Sequence, residues 1–171
     1  TVVAAPDPYF FYQKYLSTIG WNENSGLTGT GVVVAVLDTG VQMNNPDLKN
    51  NLWRNPREVL NNNQDDDGNG YVDDYYGYNF VDATADMRVY SDHGTAVAGV
   101  IAAAHNDYGT AGIASGATIM PLTVCKANEC PVAAVIEGIR YAVDNGASII
   151  NLSLGGYGTL GYTDEYNGAI A

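Results

Sequence analysis

The sequence predicts an α/β fold built on a parallel sheet, and three observations carry that expectation. Residues 32–37 form an unbroken run of Val, Ala and Leu bounded by glycines, the pattern of a strand buried on both faces. Further strand-like segments at 76–81, 118–124 and 148–152 are interleaved with helical patterns at 95–104 and 131–145. Strands separated by crossover helices return in the same direction. Hydrophobic residues make up 46% of the chain and charged ones 15%, which supplies enough apolar surface for a packed core.

Taken in order, residues 1–27 are aromatic and irregular, with Pro6-Asp7-Pro8 ahead of a short helix expected over 9–16. Gly29-Thr30-Gly31 opens the first strand, which ends at Asp38-Thr39-Gly40. Residues 44–75 are rich in Asn, Asp, Pro and Gly and read as an extended surface loop. Asp92-His93-Gly94 stands just ahead of the small-residue helix at 95–104. For the helix at 131–145, Pro131 suits the first turn and Gly146 the stop. Residues 163–171 begin one more helix.

Composition excludes several function classes. The chain carries 19 acidic and 7 basic residues, a net charge of −12, and such a surface repels phosphate backbones, so no nucleic-acid partner is expected. No apolar run reaches the ~18 residues that a membrane span needs, so no membrane partner is expected. The first residues lack both Met and the basic start of a signal peptide, so the chain reads as already processed. Cys125 and Cys130 suit a small disulfide-closed loop in an oxidising compartment, two free thiols being the alternative. Neither CxxC nor a Cys/His zinc spacing is present. Gly29-Thr30-Gly31 precedes its strand, whereas a dinucleotide-binding glycine motif follows one.

Asp38 and His93 are the candidate catalytic residues. Asp38 closes a buried strand, at the edge where open α/β sheets place their sites, and a carboxylate is costly there unless its charge is used. His93 opens a helix. Alone, the first would be an ordinary turn residue and the second an ordinary cap; together they are the parts of an oriented general base.

Three segments occur in a telling order: Val34-Ala35-Val36-Leu37-Asp38-Thr39-Gly40-Val41, then Asp92-His93-Gly94-Thr95-Ala96-Val97-Ala98-Gly99, then Asn151-Leu152-Ser153-Leu154-Gly155-Gly156. From Asp7 onward the chain resembles the subtilase family of serine proteases. The resemblance implies a three-layer, subtilisin-like α/β fold with a mainly parallel sheet, incomplete in this chain, residues 1–171 being the N-terminal part of one catalytic domain. It implies a secreted, extracellular endopeptidase in which His93 takes the proton of a serine hydroxyl while Asp38 orients it. Ser153, Leu154 and Gly155 would pair with a peptide or protein substrate as an added strand, flanked on its other side by Val124, Cys125 and Lys126. The family carries its nucleophile in a Gly-Thr-Ser segment and an oxyanion-hole Asn in an Ala-Gly-Asn segment, and neither occurs here. Ser17, Ser25, Ser91, Ser115, Ser148 and Ser153 all lie in other contexts. Activity is therefore expected only when a Ser-bearing C-terminal portion completes the domain, with a prosegment or inhibitor as a further partner. The alternatives are a catalytically inactive subtilisin-like binding or regulatory protein, and a calcium-dependent structural module that leaves Asp38 and His93 unexplained.

Calcium is the expected cofactor, at one or two sites. Asp65, Asp67, Asn69, the Tyr71 carbonyl and Asp73 fall at positions 1, 3, 5, 7 and 9 of an EF-hand-like loop, with Gly70 at the sharp turn. Tyr76 replaces the Glu of position 12, and Asp74 is a substitute ligand. A second site is implied by the family resemblance alone: the Asn106 side chain, the carbonyls of Ala104, Tyr108 and Thr110, and the carboxylates of Asp47 and Asp7. An ordinary Asn-Asp-Tyr-Gly turn is the alternative there.

Overall fold

The computed structural model describes residues 7–22 and 26–155. Four strands form one parallel sheet in the order β2-β3-β1-β4: β1 (Val33–Asp38), β2 (Tyr78–Asn79), β3 (Thr118–Thr123) and β4 (Ile149–Asn151). β1 pairs with β3 along its whole length, from Val33 opposite Thr118 to Asp38 opposite Thr123, and with β4 from Val34 opposite Ile149 to Val36 opposite Asn151. The segments that leave β1, β3 and β4 therefore emerge at one edge of the sheet.

Side chains alternate across a strand, so β1 feeds two cores. Val34 and Val36 pack with Ile119, Leu48, Leu52, Ala98 and Ala102 on the face covered by α2 (His93–Ala102). Ala35 and Leu37 pack with Met120, Leu122, Ile139, Tyr141 and Ala142 on the face covered by α3 (Val132–Asp144). This is a helix–sheet–helix sandwich, and burial on both faces is why β1 reads as a continuous apolar run. Before it, a 3₁₀ turn (Phe10–Tyr12) and α1 (Lys14–Thr18) replace the single helix expected over 9–16.

Pro121 sits inside β3, where a missing N–H would ordinarily break a ladder. Ile119 exchanges bonds with Asn51 and Trp53, and the Thr123 carbonyl accepts from Phe80 N–H. Pro121 falls between them, on the side where Gly77 crosses so closely that a Cβ there would lie 2.1 Å from the Pro121 carbonyl oxygen. The ladder has no donor to lose at that point.

Several boundaries differ from the sequence reading. α2 begins at His93 rather than 95, because Asp92 already lies in the right-handed helical region (φ −68°, ψ −8°) and its carbonyl accepts from Ala96 N–H. Pro131 is the residue before α3 rather than part of its first turn, while Gly146 (φ +77°) ends it as expected. β4 is not the buried strand its apolar residues suggested: Ile149 is 53% exposed, since β4 is the sheet edge among the described residues. The helix expected over 163–171 lies outside the described residues.

Candidate active site

β1 delivers Asp38 to the C-terminal edge of the sheet, and α2 starts with His93 beside it. Asp38 is fully buried, so its charge must be met by donors. Thr39 N–H donates to Oδ1 at 2.7 Å, and His93 Nδ1 lies 2.9 Å from both carboxylate oxygens. A carboxylate only accepts, which places the proton of a neutral His93 on Nδ1 and leaves Nε2 as the free nitrogen. The His93 side chain is 51% exposed. One partner is thus locked and dry, while the other is open to whatever approaches.

Thr39 joins the two elements. Its Oγ1 lies 3.1 Å from Asp38 Oδ1 and 2.9 Å from the Ser91 carbonyl, and it accepts from Gly94 N–H at 3.2 Å. Strand end and helix start approach so closely that only glycine fits at 94. A Cβ there would stand 2.5 Å from the Gly40 carbonyl oxygen and 3.0 Å from Asp38 Oδ1. Gly94→Ala is expected to cost about 2 kcal/mol of stability in denaturant unfolding, because the contact is with backbone that cannot rotate away.

The other predicted residues gather at the same edge, in unequal roles. Val124 and Cys125 are fully buried, and both their N–H groups donate to the Asp38 carbonyl, at 2.9 and 3.1 Å. Through these bonds they brace Asp38, and of the three residues Lys126 alone has an exposed side chain. Cys125 and Cys130 form the disulfide, which rules out the free thiols. It closes a loop with a sequence separation of 5, and reducing it is expected to lower stability by about 2 kcal/mol. Leu154 and Cys130 each pack against the cluster that contains Cys125, and Ser153 and Gly155 are exposed.

The matches to known proteins fit this geometry. The family model of the subtilases covers residues 29–170. The chain belongs to the subtilase family. Minor extracellular protease Vpr of Bacillus subtilis is 37% identical over 150 residues, which is 80% of this chain and 16% of that protein. A solved protease of Pseudoalteromonas arctica superposes with a TM-score of 0.66 at 28% identity, covering 96% of this chain and 55% of that one. A serine protease of Aeromonas sobria, solved in complex with a chaperone, superposes at 0.52 with 26% identity over 78% of this chain and 20% of that one. The subtilase chain spans 16% to 36% of the length of four curated relatives that it matches. The fold is subtilisin-like α/β with a parallel sheet.

Among the described residues of this subtilase, two acidic regions outside the Asp38–His93 pair hold the residues expected to bind calcium. In the loop before β2, the carboxylates of Asp65, Asp67 and Glu58 offer oxygens within 4.8 Å of one another. Glu58 was missing from the sequence reading. It stands seven residues ahead of the EF-like run, in a loop without periodicity, and only folding brings it back. Its Oε1 accepts from Asp66 and Asp67 N–H, while its Oε2 is buried and unpartnered. Asp73 and Asp74 do not join this group. Asp73 turns to accept from Asn62 and Asn63 N–H, and the fully buried Asp74 accepts from Asn55, Asn69 and the Tyr141 hydroxyl. Asp74 is an anchor that ties the loop to α3. Asn69 donates its backbone N–H to Asp65 and Asp67, and its Oδ1 accepts from Tyr71 N–H. The Tyr71 ring packs among Tyr78, Phe80 and Tyr141.

In the second region Asp7 and Asp47, both buried, meet the 104–110 loop. Asp7 Oδ1 accepts from Asn106 N–H, Asp47 Oδ2 from Thr110 N–H, and Ala104 N–H donates to the Asp47 carbonyl. Tyr108 N–H closes the turn onto Asn106 Oδ1. Asp47 Oδ1 is buried without a partner. Burial, with the Asp7 charge adding to it, pushes the Asp47 carboxyl above the usual aspartate range, and burial likewise raises Glu58. Each region thus holds an orphaned carboxylate oxygen beside further oxygen donors, a set that suits a hard cation such as calcium.

Proposed function

We propose that the protein carrying this chain is a secreted, calcium-dependent serine endopeptidase that hydrolyses peptide bonds with an Asp-His-Ser triad whose serine lies outside these 171 residues. The observation that carries this reading is the buried Asp38 carboxylate, 2.9 Å from Nδ1 of a half-exposed His93. In the reaction, His93 Nε2 takes the serine hydroxyl proton as the oxygen attacks the peptide carbonyl. It then returns that proton to the leaving amine, while Asp38 holds the tautomer and stabilises the transient imidazolium. Exposed Ser153 and Gly155 supply backbone for a substrate strand, with Leu154 walling the groove.

Residues 1–171 act as the N-terminal part of one catalytic domain, completed by a C-terminal portion that bears the serine. By name, Vpr is an extracellular protease and a relative from Paenibacillus polymyxa an intracellular serine protease. The disulfide suits an oxidising compartment, and among the described residues no helix is long and apolar enough to cross a membrane. The chaperone complex of the Aeromonas protein supports a prosegment- or inhibitor-like partner. Calcium would be held by Glu58, Asp65, Asp67 and Asn69 at one site. At the other it would be held by Asp7, Asp47, Asn106 and the carbonyls of Ala104, Tyr108 and Thr110. Its role there is to neutralise buried carboxylates and fix both loops.

The test is labelling of the full-length protein by a serine-directed fluorophosphonate. Labelling that is lost in His93→Ala supports the reading. No labelling of a folded, calcium-loaded protein would sink it in favour of an inactive binding protein.

A further inference from the structure

Three loops close on one another beside the Asp38–His93 pair, and a single ammonium sits where they meet. Tyr90 stands three residues before His93, and its N–H donates to the Thr39 carbonyl at 2.8 Å. Lys126 directly follows Cys125, whose N–H ends on the Asp38 carbonyl. Asp82 belongs to the turn after β2, where its N–H is held by the fully buried Asn79. The Lys126 ammonium lies 5.2 Å from the Tyr90 ring centroid and 3.8 Å from Asp82 Oδ1, and the Tyr90 hydroxyl donates to Asp82 Oδ2.

This arrangement restrains a normally floppy side chain. The Lys126 backbone exchanges hydrogen bonds with Glu129, at 2.8 and 3.1 Å, within the loop that the disulfide closes. The ammonium is held over an aromatic face. A lysine fixed in this way has already lost much of the rotamer freedom that binding would otherwise cost. Its capacity is not exhausted, however. At 3.8 Å it makes an ion pair with Asp82 but no direct hydrogen bond, and its side chain is 58% exposed. Three N–H donors are left for an incoming acceptor. Two acids face it, Asp82 and Glu129 across the hairpin, and Asp82 is already engaged by Tyr90. The chain's net charge of −12 repels an acidic peptide only at long range, where salt screens it beyond ~8 Å.

We propose that Lys126, held by Tyr90 and Asp82, selects for an acidic side chain in the peptide bound along this edge of the sheet. The inference rests on the protease reading above and adds a substrate class to it. It is tested on the full-length protein with internally quenched peptides in which Glu, Gln and Lys are scanned through the positions flanking the scissile bond. At one position kcat/KM is expected to favour Glu over Lys by about tenfold and over Gln by about threefold, the scale of a partly exposed ion pair. Lys126→Glu should invert the Glu/Lys ratio and Lys126→Gln should flatten it. Raising the salt should compress it. Cleavage with a Glu/Lys ratio unchanged in both Lys126 variants overturns the inference and leaves the protease reading standing. Absence of cleavage together with absence of phosphonate labelling defeats the protease reading, and the inference with it.

Discussion

Replacing Asp38 by asparagine in the full-length protein is expected to lower kcat about 10⁴-fold with little change in KM. The asparagine amide keeps the shape of the carboxylate, but it presents a donor as well as an acceptor to His93 Nδ1. The imidazole then adopts the other tautomer, with its proton on Nε2, and can no longer accept the serine proton. Thr39 N–H still finds an oxygen at that position, so the strand end stays folded and the loss is one of chemistry. Comparable losses of kcat and of thermal stability would assign Asp38 a packing role instead. His93→Ala should lose at least as much activity, and combining the two should add little, because residues that act as a unit are not additive.

The second large effect is calcium removal. At calcium about a hundredfold above its dissociation constant, each site adds about 2.7 kcal/mol, which chelation with EDTA removes. For a folding unit of about 150–250 residues that amounts to a fall in Tm of roughly 5–10 °C per site, and less for a larger one. Asp47→Asn and Glu58→Gln separate the sites, since each neutralises one buried carboxylate whose second oxygen has no partner. Each variant should lose one site's share of the calcium response. Without metal, each should be at least as stable as the parent, because an uncompensated buried charge has gone. A calcium response unchanged in both variants would show that these oxygens do not hold the ion.

Much of this was legible in the sequence where a short-range pattern reports on a long-range fact. β1 is buried on both faces, so its apolar run announced both the strand and the edge on which Asp38 sits. α2 is made of small residues because it crosses close to the sheet, and Gly94 beside His93 reflects that approach. What escaped was decided by tertiary contact. Nothing in the local sequence says that Glu58 turns back onto Asp65 and Asp67, or that Asp74 is held by Tyr141 from a helix far along the chain. Val124 and Cys125 follow β3 much as Lys126 does, yet the Asp38 carbonyl claims their N–H groups and leaves only Lys126 facing out. The EF-like spacing placed Asp73 among the ligands, whereas its positive φ of 55° turns it toward Asn62 and Asn63.

The buried Asp38 carboxylate fixes the proton of neutral His93 on Nδ1. Nitrogen-15 NMR of the histidine side chains reads this directly in the neutral form. The expected result is a His93 ring protonated on Nδ1 in the parent protein and on Nε2 in Asp38→Asn. The same tautomer in both proteins would contradict it.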